Sequence, residues 1–200
     1  LLLSTSFSLA VAAHRIDGGA THSLEQQFAE LYEYFQSVPL LQCDRVMNQA
    51  DADSDYIDQV EAVANLDQWM RWFAVETLIA NGETNASNGT DDDYSMYRGR
   101  LDPRFQFIPH DLDTILGRGD DSRITDPEHT LFDMVRSGES LGPLVPLFEE
   151  PGIRIRYFEA LRNLIETSFS KERFDALLIN HLSGWVPSGV IEDMIDFMDA

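Results

Sequence analysis

The residues of this sequence best suited to chemistry are acidic, and they fall in two places. Glu83 and Asn88 follow a strongly apolar stretch, whereas Asp111 and Asp113 follow a short segment that alternates apolar and polar residues. Carboxylate and amide oxygens are the ligands that hard cations such as Mg²⁺ and Ca²⁺ prefer. The pattern therefore predicts a divalent-cation site, provided that the fold brings the two places together.

The order of these residues is also informative. Glu83 is followed five residues later by Asn88, then by a predicted hairpin and then by Asp111. Protein kinases use that order for a catalytic acidic residue, a metal-binding Asn and a metal-binding Asp. Simpler interpretations stay open: Asp111 and Asp113 could cap a helix or turn, Asn88 could be a turn residue before Gly89, and Glu83 could be an ordinary loop acid.

Two other chemistries have weaker support. His110 stands beside Asp111, which suggests a metal-dependent hydrolase, but the other histidines show no ligand spacing. The Asp-x-Asp-x-Asp string at 51–55 begins like an EF-hand but lacks the Gly and the bidentate Glu of that loop. A hydrolase therefore ranks last among the functions considered, and the acidic string is best explained as a solvated helix start.

Hydrophobic spacing predicts the elements that must position these residues: a mostly helical α+β domain with one β-hairpin. Apolar residues surround almost the whole circumference of a helix at 66–80, which is expected to be central and buried. Two alternating segments, Tyr94 to Arg98 and Arg104 to Ile108, predict the hairpin. Other helices are expected after a capping box at Ser23, near residue 56, and at 129–136, 143–150, 152–169, 171–184 and 188–199.

Charge and composition exclude several classes of protein. Fourteen Lys plus Arg against 35 Asp plus Glu give a net charge of −21, which repels nucleic-acid polymers and anionic membranes. The single cysteine, Cys43, excludes an internal disulfide framework and a cysteine-based zinc site. The apolar stretch from Leu1 to Ala13 is either a truncated signal-like segment or a buried strand or helix, and it is shorter than the roughly 20 residues of a transmembrane span. We expect an extracytoplasmic or secreted protein with no transmembrane span.

Three stretches carry a more specific signal. They are Trp72 to Glu83, the strand Tyr94 to Tyr97, and the string Phe-x-Phe-Ile-Pro-x-Asp-Leu-Asp-x-x-x-Gly at 105–117. Together they resemble the CotH family, atypical kinases that include spore coat protein kinases. The resemblance implies the fold of a kinase-like C-terminal lobe over residues 23–200. Residues 1–22 are expected to be the remnant of a preceding segment or a truncated signal-like stretch.

The resemblance also implies a function, which is transfer of phosphate from ATP to Ser or Thr of a protein substrate with Mg²⁺, or alternatively Ca²⁺ or Mn²⁺. Because the chain resembles only a C-terminal lobe, this activity is expected if the missing N-terminal lobe is supplied. In that interpretation Asp111 is the principal metal ligand, and Asp113 is a second ligand beside it. Asp111 and Glu83 are the catalytic residues. Glu83 stands where the family has a catalytic Asp. Asn88 and Asp93 would bind the nucleotide, and Asn88 would also be a metal ligand.

Several residues depart from the family pattern. The lysine that contacts ATP phosphates has no counterpart, because the only lysine, Lys171, follows the motif in a late helix. Glu83 adds a methylene to the expected Asp and would displace a base that must lie within about 3 Å of its proton. Asp92 and Asp93 replace a pair of Asn. The alternative function is therefore a catalytically inactive module of the same fold that binds a divalent cation or a partner.

Overall fold

The structure is a computed structural model that describes residues 43, 46–47, 55–81, 94–119, 127–128, 131–132 and 144–200. In these ranges Cys43, Val46 and Met47 are helical, and two strands form one antiparallel sheet. The predicted class, mostly helical α+β with one hairpin, is confirmed. The named elements are α1 (Tyr56–Val63), α2 (Leu66–Leu78), β1 (Tyr94–Arg98), β2 (Phe105–Pro109), α3 (Leu144–Glu149), α4 (Pro151–Glu166), α5 (Lys171–Leu182) and α6 (Ser188–Asp199).

The observed elements follow the predicted ones closely. β2 starts and ends one residue later than expected, and the last three predicted helices correspond to α4, α5 and α6. Of the helix expected at 129–136, only Leu131 and Phe132 are described, and both lie in a turn. The expectations for residues 1–22, for the capping box at Ser23 and for the acidic string before residue 55 lie outside the described residues. No helix in the described part of the chain is long and apolar enough to cross a membrane.

Helix α2 is the centre of the described structure, as the sequence predicts. Asn65 caps its first turn, because the Asn65 side chain accepts a hydrogen bond from the backbone N–H of Gln68 at 3.1 Å. Trp69, Met70 and Phe73 are almost completely buried. The helix packs against α4 on one side and β2 on another, which explains why its apolar residues extend around most of the circumference.

The edge of β2 that faces away from β1 is closed by hydrogen bonds from the start of α2. The carbonyl of Phe105 accepts from the backbone N–H of Asn65 at 2.9 Å and from Nε1 of Trp69 at 2.8 Å. The side-chain amide of Gln68 donates to the carbonyl of Phe107 at 2.7 Å and accepts from its N–H at 3.0 Å. Gln68 therefore pairs with β2 as a neighbouring strand would, so these polar groups of the strand edge are satisfied.

The two phenylalanines of the Phe-x-Phe pattern fix the hairpin to α2. Phe105 and Phe107 are 8% and 4% exposed, because alternate residues of a strand point to the same face. The ring of Phe107 stacks on Trp72 at 4.3 Å with an interplanar angle of 12°, and it lies 4.6 Å from the ring of Trp69. The hairpin and the helix thus form one unit, and the chain leaves β2 from a fixed point.

The turn of the hairpin is attached to the same end of α2. The side-chain amide of Asn65 donates to Asp102 Oδ2 at 3.0 Å. Arg104 donates to both carboxylate oxygens of Asp102, at 2.9 and 2.8 Å. These hydrogen bonds, those from Arg104 first, lower the pKa of Asp102 to about 2.

On its other side, α2 is joined to α4 by a buried tyrosine. The hydroxyl of Tyr157 lies 2.8 Å from Oγ1 of Thr77 and donates to the carbonyl of Leu131 at 2.6 Å. Since the single hydroxyl proton of Tyr157 is used by Leu131, Thr77 is the donor of the other bond. Burial raises the pKa of Tyr157 to about 12, so the tyrosine stays neutral.

The pairing of Gln68 with β2 gives a first testable prediction. Gln68→Glu replaces the donor that faces the carbonyl of Phe107 with an acceptor, and we expect the free energy of unfolding to fall by about 1–3 kcal/mol. Gln106→Glu is the matched control, because Gln106 belongs to β2 but lies on the face opposite to Phe105 and Phe107. For this variant we expect the free energy of unfolding to fall by less than about 0.5 kcal/mol. Urea unfolding followed by tryptophan fluorescence measures both, and equal losses would contradict the assigned role of Gln68.

Candidate functional site

The two chain segments that carry the predicted site residues meet at the C-terminal end of α2. Ile79 caps that helix, and its carbonyl accepts a hydrogen bond from the N–H of Leu116 at 2.6 Å. Leu116 lies three residues beyond Asp113. The start of the loop that leads to Glu83 and the segment that holds Asp111 and Asp113 are therefore adjacent.

Helix α2 ends in a Schellman motif. The N–H of Ala80 donates to the carbonyl of Thr77 at 3.1 Å, and the N–H of Asn81 donates to that of Glu76 at 3.0 Å. These are the two hydrogen bonds that define the motif, and its left-handed residue, usually a glycine, is here Ala80 with φ 50°. The chain consequently leaves α2 in a fixed direction, two residues before Glu83.

A buried polar pair reinforces this helix end. Glu76 and Asn81 are both fully buried, and Nδ2 of Asn81 donates to Oε2 of Glu76 at 2.9 Å. The pair occupies the two positions that are usually joined by an apolar contact in a Schellman motif. A buried carboxylate is tolerated only when hydrogen bonds replace its water, so this pair specifies one arrangement of the helix end.

Glu76 is not among the residues that the sequence patterns predict to be important. The sequence did contain a sign of its importance. Asp67 and Arg71 mark the solvated face of α2, whereas Glu76 lies about half a turn away from Asp67, among apolar residues. Such a residue is either a structural hydrogen-bonding group or part of a site. The structure shows Glu76 directly beneath the start of the loop that leads to Glu83.

Backbone strain is concentrated at the same junction. Among the described residues, the non-glycine residues with a left-handed backbone are Ala80, Asp111 and Leu116, with φ of 50°, 53° and 54°. Each such conformation costs on the order of 1–3 kcal/mol and persists only where the surroundings impose it, which is common at functional sites. All three lie in the two segments that meet at the end of α2.

Two of the predicted site residues are described, and both lie on the surface. Asp111 and Asp113 are exposed, and so is His110 between them and the end of β2. Within the described part of the chain, no three His, Cys, Asp or Glu residues are grouped so that they could hold a metal ion.

Glu83, Asn88 and Asp93 lie outside the described residues, so their placement stays a prediction. The register of the hairpin is nevertheless relevant to Asp93. Tyr94 pairs with Pro109, so the end of β1 that follows Asp93 in the sequence is the same end of the hairpin from which the chain proceeds to Asp111. The topology is compatible with the predicted grouping.

A small second apolar core supports the segment after β2. Leu116 is buried beside Ile79 of the α2 cap and Phe174 of α5. This second core is a separate cluster from the main core, and residues of α2, α5 and α6 contribute to it. The partly buried side chains packed against it are Val75, Ile115, Phe169, Leu178, Met194, Phe197 and Met198.

Comparison with known protein families gives the context for this geometry. A family model described as CotH kinase protein matches residues 22–184. This chain belongs to the CotH kinase family. The match includes α1 to α5 and both strands, whereas α6 lies beyond it. A search of curated proteins finds no match.

The structure explains the final glycine of the CotH-like string. Gly117 has φ 67°, and a Cβ at this position would lie 2.7 Å from Cδ2 of Phe197. Both the backbone conformation and the aromatic ring of α6 therefore require glycine. Two residues later, a Cβ on Gly119 would lie 2.5 Å from the carbonyl oxygen of Asp113, so the segment folds back closely on itself.

A second prediction follows from the two constraints on Gly117. Gly117→Ala should lower the free energy of unfolding by about 1–3 kcal/mol, because the methyl group meets the Phe197 ring and alanine disfavours positive φ. Gly152→Ala is the control: Gly152 lies in the first turn of α4, where an added methyl group would have no atom within 4 Å. That variant should be neutral or more stable by up to about 1 kcal/mol.

Thermal unfolding of the two variants beside the wild type tests this expectation. A Gly117→Ala protein as stable as Gly152→Ala would show that the segment can move away from α6 without a penalty.

Proposed function

We propose that this CotH-family chain transfers phosphate from ATP to Ser or Thr side chains of a protein substrate, with Mg²⁺ as the cofactor. The observation that supports this most is the hydrogen bond from Leu116 to Ile79, which holds the segment of Asp111 and Asp113 beside the start of the loop that leads to Glu83. Phosphoryl transfer depends on positioning and charge stabilisation. A strained, well-supported junction beside exposed carboxylates is suited to that task.

The donors on this segment fit Mg²⁺. The ion is commonly held by one or two carboxylates together with substrate phosphates and water. Asp111 and Asp113 are two exposed oxygen donors in one short segment, so they fit that requirement. Asn88 and Asp93 are proposed to assist, and Mn²⁺ or Ca²⁺ would accept the same kinds of ligand. When bound, the cation supplies positive charge for phosphates that approach a chain of net charge −21.

In this proposal Glu83 accepts the proton of the substrate hydroxyl. A general base must come within about 3 Å of the proton it removes, so the direction in which the chain leaves α2 matters. The Schellman end and the Glu76–Asn81 pair set that direction two residues earlier. These groups position the loop and take no part in the proton transfer themselves.

One observation favours the alternative function, an inactive module that binds a divalent cation. The only lysine, Lys171, forms ion pairs with Asp175 of α5 and Asp199 of α6, and the hydrogen bond to Asp199 is the main reason that its pKa is raised. Lys171 thus has a role in joining two helices. Phosphate binding would then depend on the cation and on arginines.

A third prediction concerns the cation. Millimolar Mg²⁺ should raise the melting temperature of the wild type, because a ligand that binds only the folded state stabilises it. Asp111→Asn should remove most of this increase by deleting a charged ligand. Asp58→Asn removes an equal charge from an exposed position of α1 and should retain the increase. Equal responses in the two variants would mean that Mg²⁺ only screens diffuse surface charge.

A fourth prediction concerns catalysis. With ATP, Mg²⁺ and a Ser-rich protein acceptor, we expect slow transfer that Asp111→Ala lowers by about a hundredfold or more, as is usual for loss of a group that stabilises transition-state charge. Glu83→Asp should retain or increase the rate, since it restores the residue of the family pattern.

The assay measures phosphate transferred to the acceptor over time. Transfer that persists in Asp111→Ala would refute the assigned site. No transfer by the wild type, together with a Mg²⁺ response that requires Asp111, would instead support the inactive cation-binding module.

A further inference from the structure

Helix α6 lies wholly beyond the residues that match the CotH kinase family, yet it contacts the site segment directly. A Cβ on Gly117 would lie 2.7 and 2.9 Å from two ring carbons of Phe197, so the ring lies against the backbone of the residue that ends the CotH-like string. One residue further, Arg118 forms an ion pair with Asp193, also from α6. No feature of the family string itself predicts these contacts.

The contact falls at a strained part of the segment. Leu116, next to Gly117, has φ 54° and is only 2% exposed. Its left-handed backbone is unfavourable for a leucine and persists only if the surroundings impose it. The surroundings are Ile79 below, through the hydrogen bond to Leu116, and the apolar side chains of α5 and α6.

Helix α6 is also anchored by contacts other than the one between Phe197 and Gly117. Asp199 pairs with Lys171 of α5, and Met194 and Met198 pack into the second apolar core beside Phe174. Ile191 is buried in α6 at 5% exposure but lies outside that core. The helix therefore provides a fixed surface against which Gly117 rests.

We propose that α6 is a positioning element of the site, and that Phe197 is its main positioning residue, with Asp193 assisting through Arg118. By holding Leu116 and Gly117 against Ile79, the Phe197 ring fixes the anchored end of the segment whose exposed part carries Asp111 and Asp113. The effect of α6 on cation binding and transfer rests on the proposed function, whereas the contact with Gly117 does not. Phe197 touches neither substrate nor cation, and it acts through the backbone of the segment. The exposed Arg118–Asp193 pair contributes less, since surface ion pairs are weak.

The first test compares Phe197→Ala with Ile191→Ala in the full chain. Phe197→Ala should raise the Mg²⁺ concentration that gives half of the maximal melting-temperature increase by about tenfold, the usual effect of removing a group that orients metal ligands. Ile191→Ala also removes a buried apolar side chain of α6, but it should leave that concentration within about twofold. Phe197→Leu should restore part of the loss. If Ile191→Ala and Phe197→Ala raise the Mg²⁺ requirement equally, α6 has only a general structural role.

A second test uses the contact between Phe197 and Gly117. Introduced into the wild type, Gly117→Ala should raise the Mg²⁺ concentration that gives half of the maximal melting-temperature increase. Introduced into Phe197→Ala, it should have a smaller effect, because the added methyl group then has no ring to meet. Such coupling is expected only between groups that interact. Strictly additive effects of the two substitutions would overturn the proposed contact.

Amide hydrogen exchange separates failure of this inference from failure of the proposed function. Residues 110–119 should exchange faster in Phe197→Ala than in Ile191→Ala, whether or not the protein is a kinase. Equal exchange in the two variants would refute the positioning role. Faster exchange in Phe197→Ala, with no Mg²⁺ response or transfer even in the wild type, would refute the proposed function and the catalytic part of this inference while confirming the contact.

Discussion

The docking of β2 on α2 is the interaction on which the rest of the structure depends. Gln68 and the ring of Phe107 fix the strand to the first half of the helix, whereas Leu116 is bonded to Ile79 at its other end. From Gln68 to Ile79 the helix advances about 16 Å at roughly 1.5 Å per residue. The chain from Phe107 to Leu116 could span nearly twice that distance if extended. The excess length is taken up where the chain bends, at Asp111 with its left-handed backbone and in the turn at Leu116 and Gly117. The two attachments to the helix therefore limit how the acidic segment can fold.

The strain of that arrangement is offset by burial on both sides of the junction. Ala80 and Leu116 are almost completely buried, so neither can relax its left-handed backbone without disturbing its neighbours. On the α2 side the fully buried Glu76–Asn81 pair opposes relaxation, because breaking it would deprive a carboxylate in an apolar environment of a hydrogen bond. On the other side the second apolar core performs the same role for Leu116. Exposed Asp111 and Asp113 therefore project from a well-supported base.

The net charge of the chain limits which ligands can bind beside Asp111 and Asp113. A protein of net charge −21 with one lysine attracts cations and repels phosphates, so the proposed nucleotide binding would depend on a bound metal or on arginines. Lys171 joins α5 to α6, and through α6 it contributes to the support of Gly117. The proposed cation site is consistent with the family relationship and with the negative charge of the chain. In that proposal, the departure at Glu83 is the feature that most directly affects the rate of transfer.

The sequence by itself determined the elements, the centrality of α2 and the family. Each of these depends on local periodicity or on a contiguous string, in which Phe105 and Phe107 alternate inward and Asp111, Asp113 and Gly117 keep fixed spacing. It also supplied Glu83, Asn88 and Asp93 as site residues, which remain predictions. Only the tertiary structure showed that Gly117 rests against Phe197, that Glu76 is paired with Asn81 at the C-terminal end of α2, and that Leu116 is held in a left-handed conformation. These features arise from packing between residues far apart in the chain or from the environment of a single buried side chain, and neither leaves a periodic pattern in the sequence.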